Sequence, residues 1–137
     1  MTPRRDSREA GWSGRRKSLG TSGESVARKY LEANGFRVIG VNFRGKRGEI
    51  DIVARARGLI VFCEVKTRVG SGNPVEGYGE RQQRRLVRTS EAYLAMHADI
   101  LPKVYDLRYD LIVVGYGPDG VLEVKEHIAD AFRPSSR

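Results

Sequence analysis

Three side chains near the middle of the chain, Asp51, Glu64 and Lys66, are of the types that handle phosphate. Two carboxylates offer hard oxygen donors suited to Mg²⁺ or Mn²⁺; Mg²⁺ keeps several waters and can also hold a phosphate oxygen. A divalent cation between them would lower the pKa of water and neutralise charge on a scissile phosphate. A lysine beside it can orient the attacking water or stabilise the pentacovalent transition state. In Phe62-Cys63-Glu64-Val65-Lys66-Thr67 the acid and the lysine stand two apart, so on a strand they share a face. Asp51, in Gly48-Glu49-Ile50-Asp51-Ile52-Val53, shares its face with Glu49 and Val53 under the same alternation. If the two strands pair, Asp51 lies beside Glu64 at the end of a mostly apolar sheet.

Taken alone, Glu64-x-Lys66 is more often a plain ion pair on a solvated face. Three features lift it above that. Glu64 follows a strongly apolar strand, Asp51 sits on the neighbouring one, and Glu24 borders a stripe that packs on the core. From there Glu24 can reach the cluster and complete a cation's ligand shell through water. Glu49 is either an outer ligand or a partner of Arg47 or the loop.

The elements that must position these groups follow from periodicity. Thr21 or Ser22 can cap a helix, since a side-chain oxygen there accepts from a free backbone N–H. Val26, Ala27, Tyr30 and Leu31 then form an apolar stripe at helical spacing, and Gly35 is a natural stop. Phe36 to Val41 reads as a strand, Asn42 to Gly48 as a basic turn, and Glu49 to Ala54 as a second strand. Leu59 to Thr67 is a third, whose run Leu59-Ile60-Val61-Phe62-Cys63 suits a central strand covered on both sides. Val69 to Gly79 is a Gly-rich loop with Pro74. A second helix covers Glu80 to His97, with Leu86, Ser90, Tyr93, Leu94 and His97 on one side and Arg81, Arg84, Arg85 and Arg88 on the other. Leu107 to Tyr116 and Val121 to Glu126 are strands joined by the turn Gly117-Pro118-Asp119-Gly120. The order helix, three strands, helix, two strands describes an α/β domain with a mixed sheet flanked by helices.

Composition narrows the function classes. The chain has 137 residues, enough for one domain with one core. No apolar run approaches the roughly 18–20 residues of a membrane helix. Arg4 and Arg5 are not followed by an apolar stretch, so a cytoplasmic location is expected and a membrane partner is not. Cys63 is the only cysteine, which excludes a disulfide framework and a zinc cluster. Cys63 alternates away from Glu64 and belongs to the core. With only His97 and His127, neither a histidine metal site nor a Ser/His/Asp triad is supported; His97 reads as a helix-end residue and His127 carries no signal.

The formal net charge of +8 favours an anionic partner, nucleic acid above all. Residues 1–20 carry half of that excess and read as a disordered basic arm, either a solvated tail or a nucleic-acid arm. The domain itself is expected over residues 21–132, with a short tail at 133–137. Arg81, Arg84, Arg85 and Arg88 form one helical stripe whose self-repulsion a polyanion would relieve, although for any single arginine there a solvated face is the commoner reading. Arg44 and Lys46 in the basic turn are further candidates for a phosphate. Arg68 either touches phosphate or is solvated.

The run from about Gly23 to Tyr116 resembles the YraN-like family of small predicted endonucleases in the PD-(D/E)xK superfamily, similar in layout to archaeal Holliday junction resolvases. The residues that carry the likeness are Glu24, Gly48-Glu49-Ile50-Asp51 and Glu64-Val65-Lys66, with Asn42-Phe43-Arg44 and Ala92-Tyr93-Leu94 beside them. Ile50 stands where the superfamily's name has proline. The resemblance implies a restriction-endonuclease-like fold. It implies metal ligation by Asp51, Glu64 and the Val65 carbonyl, a catalytic Lys66 and an auxiliary Glu24. The expectation is a Mg²⁺- or Mn²⁺-dependent endonuclease acting on DNA. A preference for branched DNA rests on the family likeness alone. The competing expectations are a non-catalytic nucleic-acid-binding module and a protein-interaction domain. A homodimer is compatible with the sequence.

Overall fold

A computed structural model describes residues 22–70 and 79–134. The basic arm, Thr21, most of the Gly-rich loop with its Pro74, and the last three residues lie outside the described residues.

The first helix, α1, spans Gly23–Ala33. Its N-cap is Ser22, whose hydroxyl accepts the Ser25 N–H at 3.1 Å. Glu24 in the first turn complements the positive end of the helix dipole. Ala27 and Leu31 are buried, with Val26 and Tyr30 packed beside them. Gly35, with φ of +90°, takes the left-handed conformation that ends the helix.

Five strands follow: β1 (Arg37–Arg44), β2 (Glu49–Ala56), β3 (Leu59–Thr67), β4 (Asp106–Tyr116) and β5 (Leu122–Ile128), with α2 (Glu80–Met96) between β3 and β4. They form one sheet in the order β1-β2-β3-β4-β5. Every pairing is antiparallel except that of β3 with β4. A parallel pair needs a crossover, and α2 supplies it. The two helices cover opposite faces. Under α1 lie Ile52, Ala54, Val61, Cys63, Ile112 and Val114. Under α2 lie Ile50, Val53, Ile60, Phe62 and Tyr109, with Leu86 and Tyr93 of the helix itself. Ile60 to Cys63 on the central strand are buried throughout, as a strand covered on both sides requires. The fold is α/β with a mixed sheet, consistent with the restriction-endonuclease-like arrangement.

Some boundaries differ from the sequence reading. The first strand does not stop at Val41 but runs through Arg44, so the basic turn shrinks to the four residues closed by Gly45 N–H on the Gly48 carbonyl at 2.8 Å. Phe43 extends it, packing edge-on against Tyr93 with ring centroids 5.1 Å apart. The last strand reaches Ile128 because His127 and Ile128 pair with Ile112 and Leu111. On α2 the buried face includes Thr89 beside Leu86, Ser90 and Tyr93. Among the described residues no helix is long and apolar enough to cross a membrane.

Candidate active site

The β2–β3 ladder ends at Ile52 opposite Cys63. One step further, side chain replaces backbone: Asp51 Oδ2 accepts the Val65 N–H at 2.8 Å. A strand residue presents its N–H and its carbonyl to the same edge, so the Val65 carbonyl also faces the β2 side. Glu64 and Lys66 share a face, as their spacing requires, and Lys66 Nζ lies 3.2 Å from Glu64 Oε2. Both side chains are partly shielded from water, 22 % exposed for Glu64 and 35 % for Lys66, which sets them apart from a fully solvated surface pair.

Asp51 departs from strict alternation. Ile50 and Val53 stand three apart yet pack in the same core under α2, while Ile52 packs under α1. The strand therefore changes face at Asp51, and the expected shared face of Asp51 with Val53 does not hold. The displaced carboxylate instead turns to Val65 and into the field of Glu24 from α1. Glu24 is itself held by Asn42, whose Nδ2 donates to Glu24 Oε1 at 3.1 Å.

The electrostatics are those of crowded acids. Burial pushes the Asp51 carboxyl up to about 7, and the charges of Glu64, Glu24 and Glu49 push the same way against the Val65 hydrogen bond. Burial also raises Glu64, opposed by the ammonium of Lys66. Partly buried carboxylates that repel one another are the environment a hard divalent cation relieves. Among the described residues no three His, Cys, Asp or Glu side chains converge into a metal cage. A donor set of two carboxylates and one carbonyl, Asp51, Glu64 and Val65, with the remaining positions left to water, would suit Mg²⁺ or Mn²⁺ and not zinc.

The profile of the group described as "Uncharacterised protein family UPF0102" matches residues 23–114. The chain belongs to the UPF0102 family. The matched span opens beside Glu24 and includes Asn42, Asp51, Glu64, Lys66 and the whole of α2. A UPF0102 protein of Symbiobacterium thermophilum is 41% identical over 109 residues, covering 78% of this chain and 90% of that one. One from Chlorobaculum parvum is 40% identical over 120 residues, covering 83% and 91%. One from Caldanaerobacter subterraneus is 38% identical over 120 residues, covering 85% and 96%.

In this UPF0102 chain six basic residues gather at one place on the surface. Arg81, Arg84, Arg85 and Arg88 are exposed on α2. Together with Lys46 and Arg47 they line a shallow concavity of about 430 Å³. The β1–β2 turn rests directly on the helix there. A Cβ at Gly45 would come within 3.2 Å of Thr89, and one at Gly48 within 3.3 Å. Arg47 was not among the sequence candidates, and its membership comes from this docking. Arg44 lies 3.9 Å from Glu49, so the partner of Glu49 is Arg44 and not Arg47. Arg68 lies outside the lining of the concavity, and its Nη2 donates to Glu126 Oε1 at 3.0 Å.

One polar cluster escaped the sequence reading. Asp110 on β4 has a fully buried side chain that accepts four hydrogen bonds. Arg108 gives two at 2.9 and 2.8 Å, His127 Nε2 one at 2.7 Å, and the Asp130 N–H one at 2.9 Å. Tyr30 from α1 closes the chain at His127 Nδ1, 2.9 Å away. His127, which carried no signal in sequence, thus ties α1 to two strands. Its partners are so distant along the chain that no local pattern could have found it.

Proposed function

We propose that this UPF0102 chain is a metal-dependent endonuclease that hydrolyses phosphodiester bonds in DNA. The observation that carries the reading is the Asp51–Val65 hydrogen bond, which brings the β2 carboxylate beside the strand bearing Glu64 and Lys66. Asp51, Glu64 and the Val65 carbonyl would hold Mg²⁺ or Mn²⁺, which when bound supplies charge neutralisation at the phosphate and a more acidic water. Lys66 is held next to Glu64, where its ammonium can face charge as it builds on the phosphate oxygens. Glu24 adds negative charge at Asp51 from the helix side.

The concavity of six basic side chains supports a nucleic-acid partner, because contacts to phosphate position a duplex without reading its sequence. Arg44, 80 % exposed at the end of β1, adds a further cation next in sequence to the turn that carries Lys46 and Arg47. The deciding experiment incubates the protein with linear, flapped and four-way DNAs in Mg²⁺ or Mn²⁺. Cleavage that chelation and Asp51→Asn both abolish supports the reading. Absence of cleavage with retained DNA binding favours a non-catalytic binding module, for which the closed Glu64–Lys66 ion pair is the favouring observation.

A further inference from the structure

Asn42 is the one described β1 residue with a left-handed backbone, at φ of +52°. Asparagine tolerates this region better than any branched side chain. Its neighbours Val41 and Phe43 pair with Ile52 and Ile50, which places Asn42 opposite Asp51 in the register. The two strands change face together at this point. On β2 the residues Ile50 and Val53 both pack under α2. On β1 the same holds for Phe43, whose ring meets Tyr93 at 5.1 Å, and for Gly40, where a Cβ would lie 3.2 Å from the Tyr93 hydroxyl. The paired slip takes Asn42 and Asp51 out of the α2 core. It also turns the Asn42 carboxamide toward α1, where Nδ2 donates to Glu24 Oε1 at 3.1 Å.

That bond has a directional consequence. Glu24 Oε1 takes the amide, while Glu24 Oε2 is buried. The Asn42 amide therefore selects which oxygen of Glu24 is turned inward, and the charge of that carboxylate reaches Asp51. We infer that Asn42 is a positioning residue for the cation site, acting through Glu24 and not on the substrate. The inference rests on the cation-site reading above. Groups that orient ligands from behind commonly carry about 10- to 100-fold of metal affinity. The competing account makes Asn42 a backbone device only, a residue chosen for its φ.

Glycine separates the two accounts, since Asn42→Gly keeps the left-handed backbone and removes the amide. The measurement is Mn²⁺ titration by calorimetry on the full chain, with thermal unfolding of the metal-free protein alongside. Asn42→Gly should melt close to wild type and bind Mn²⁺ about tenfold more weakly. Glu24→Gln should lose a similar factor, and the double variant should lose no more than either single one, as expected of residues acting in series. Wild-type affinity in Asn42→Gly, multiplying losses in the double variant, or an Asn42→Gly protein that fails to fold would each overturn the positioning role. If wild type itself takes up no Mn²⁺, the cation-site reading falls first and this inference with it.

Discussion

The Val65 backbone N–H donates to Asp51 Oδ2 at 2.8 Å, so a partly buried carboxylate takes over where the backbone ladder between the two strands ends. Its environment favours the neutral acid, with the carboxyl raised to about 7 by burial and then by Glu64. The folded state therefore holds a proton that the unfolded chain releases near its ordinary value of 3.8. Between those two values the native state binds more protons, so metal-free stability falls as pH rises and levels off above about 7. Asp51→Asn keeps an acceptor for Val65 and removes the charge. In chelator it should be more stable than wild type at pH 8 by about 1–3 kcal/mol, with the gain shrinking toward pH 4. Urea denaturation at the two pH values checks this, and an equal effect at both would contradict it.

Cation binding should show the opposite preference. Mn²⁺ should raise the melting temperature of wild type more at pH 8 than at pH 5, because ligation requires ionised carboxylates. Asp51→Asn should show no such shift. A Mn²⁺-dependent shift that survives in Asp51→Asn would place the ion elsewhere.

Lys66 is expected to act on the rate more than on binding. Lys66→Ala should slow single-turnover cleavage by roughly a hundredfold or more, as for other removed transition-state donors. Lys66→Met, which keeps the apolar stem, should be as slow. Affinity for DNA should fall far less, since most phosphate contacts lie elsewhere. Parallel loss of binding and cleavage would make Lys66 a docking residue.

The basic concavity predicts a salt signature. Replacing Arg81, Arg84, Arg85 and Arg88 together should weaken DNA binding and flatten its dependence on salt, by nearly one unit of log–log slope for each phosphate that is no longer neutralised. Arg47→Ala should act in the same direction although it lies on the β1–β2 turn. Filter-binding titrations across a salt series measure both. An unchanged slope in the fourfold variant would show that α2 does not face the substrate.

Asp110 should matter for folding and not for cations. Burial opposes its charge, but the hydrogen bonds from His127, Arg108 and the Asp130 N–H outweigh that and hold it below the usual carboxylate range. The stability it contributes is thus present above the ordinary aspartate value and is lost as pH drops through its lowered one. Asp110→Ala leaves Arg108 and His127 without their acceptor and should cost about 3–5 kcal/mol at neutral pH. Denaturation curves measure the loss. Any variant that still folds should keep wild-type Mn²⁺ affinity, and a weakened one would tie this cluster to the site.

Much of the fold was legible because it is local. The stripe Val26, Ala27, Tyr30 and Leu31 and the uninterrupted apolar run Leu59–Cys63 record burial in their spacing, and both elements formed where they were read. The shared face of Glu64 and Lys66 follows from the two-residue period of any strand. The four-arginine stripe follows in the same way from the helical repeat.

What tertiary structure alone decided lies where one segment overrides the period of another. Reading β1 as ending at Val41 assumed that a polar Asn42 begins a turn. Instead Phe43 is drawn under α2 by Tyr93, which carries the strand onward and obliges Asn42 to take a left-handed φ. The same slip moved Asp51 off the face that alternation assigned to it and gave it to Val65 and Glu24. The Arg47 wall of the concavity depends on two glycines seating the turn against Thr89. Tyr30 and His127 meet across 97 residues of chain. Residue types and spacings within one element are written in the sequence because backbone geometry repeats them. Contacts between elements depend on how two surfaces settle against each other, and no local period encodes that.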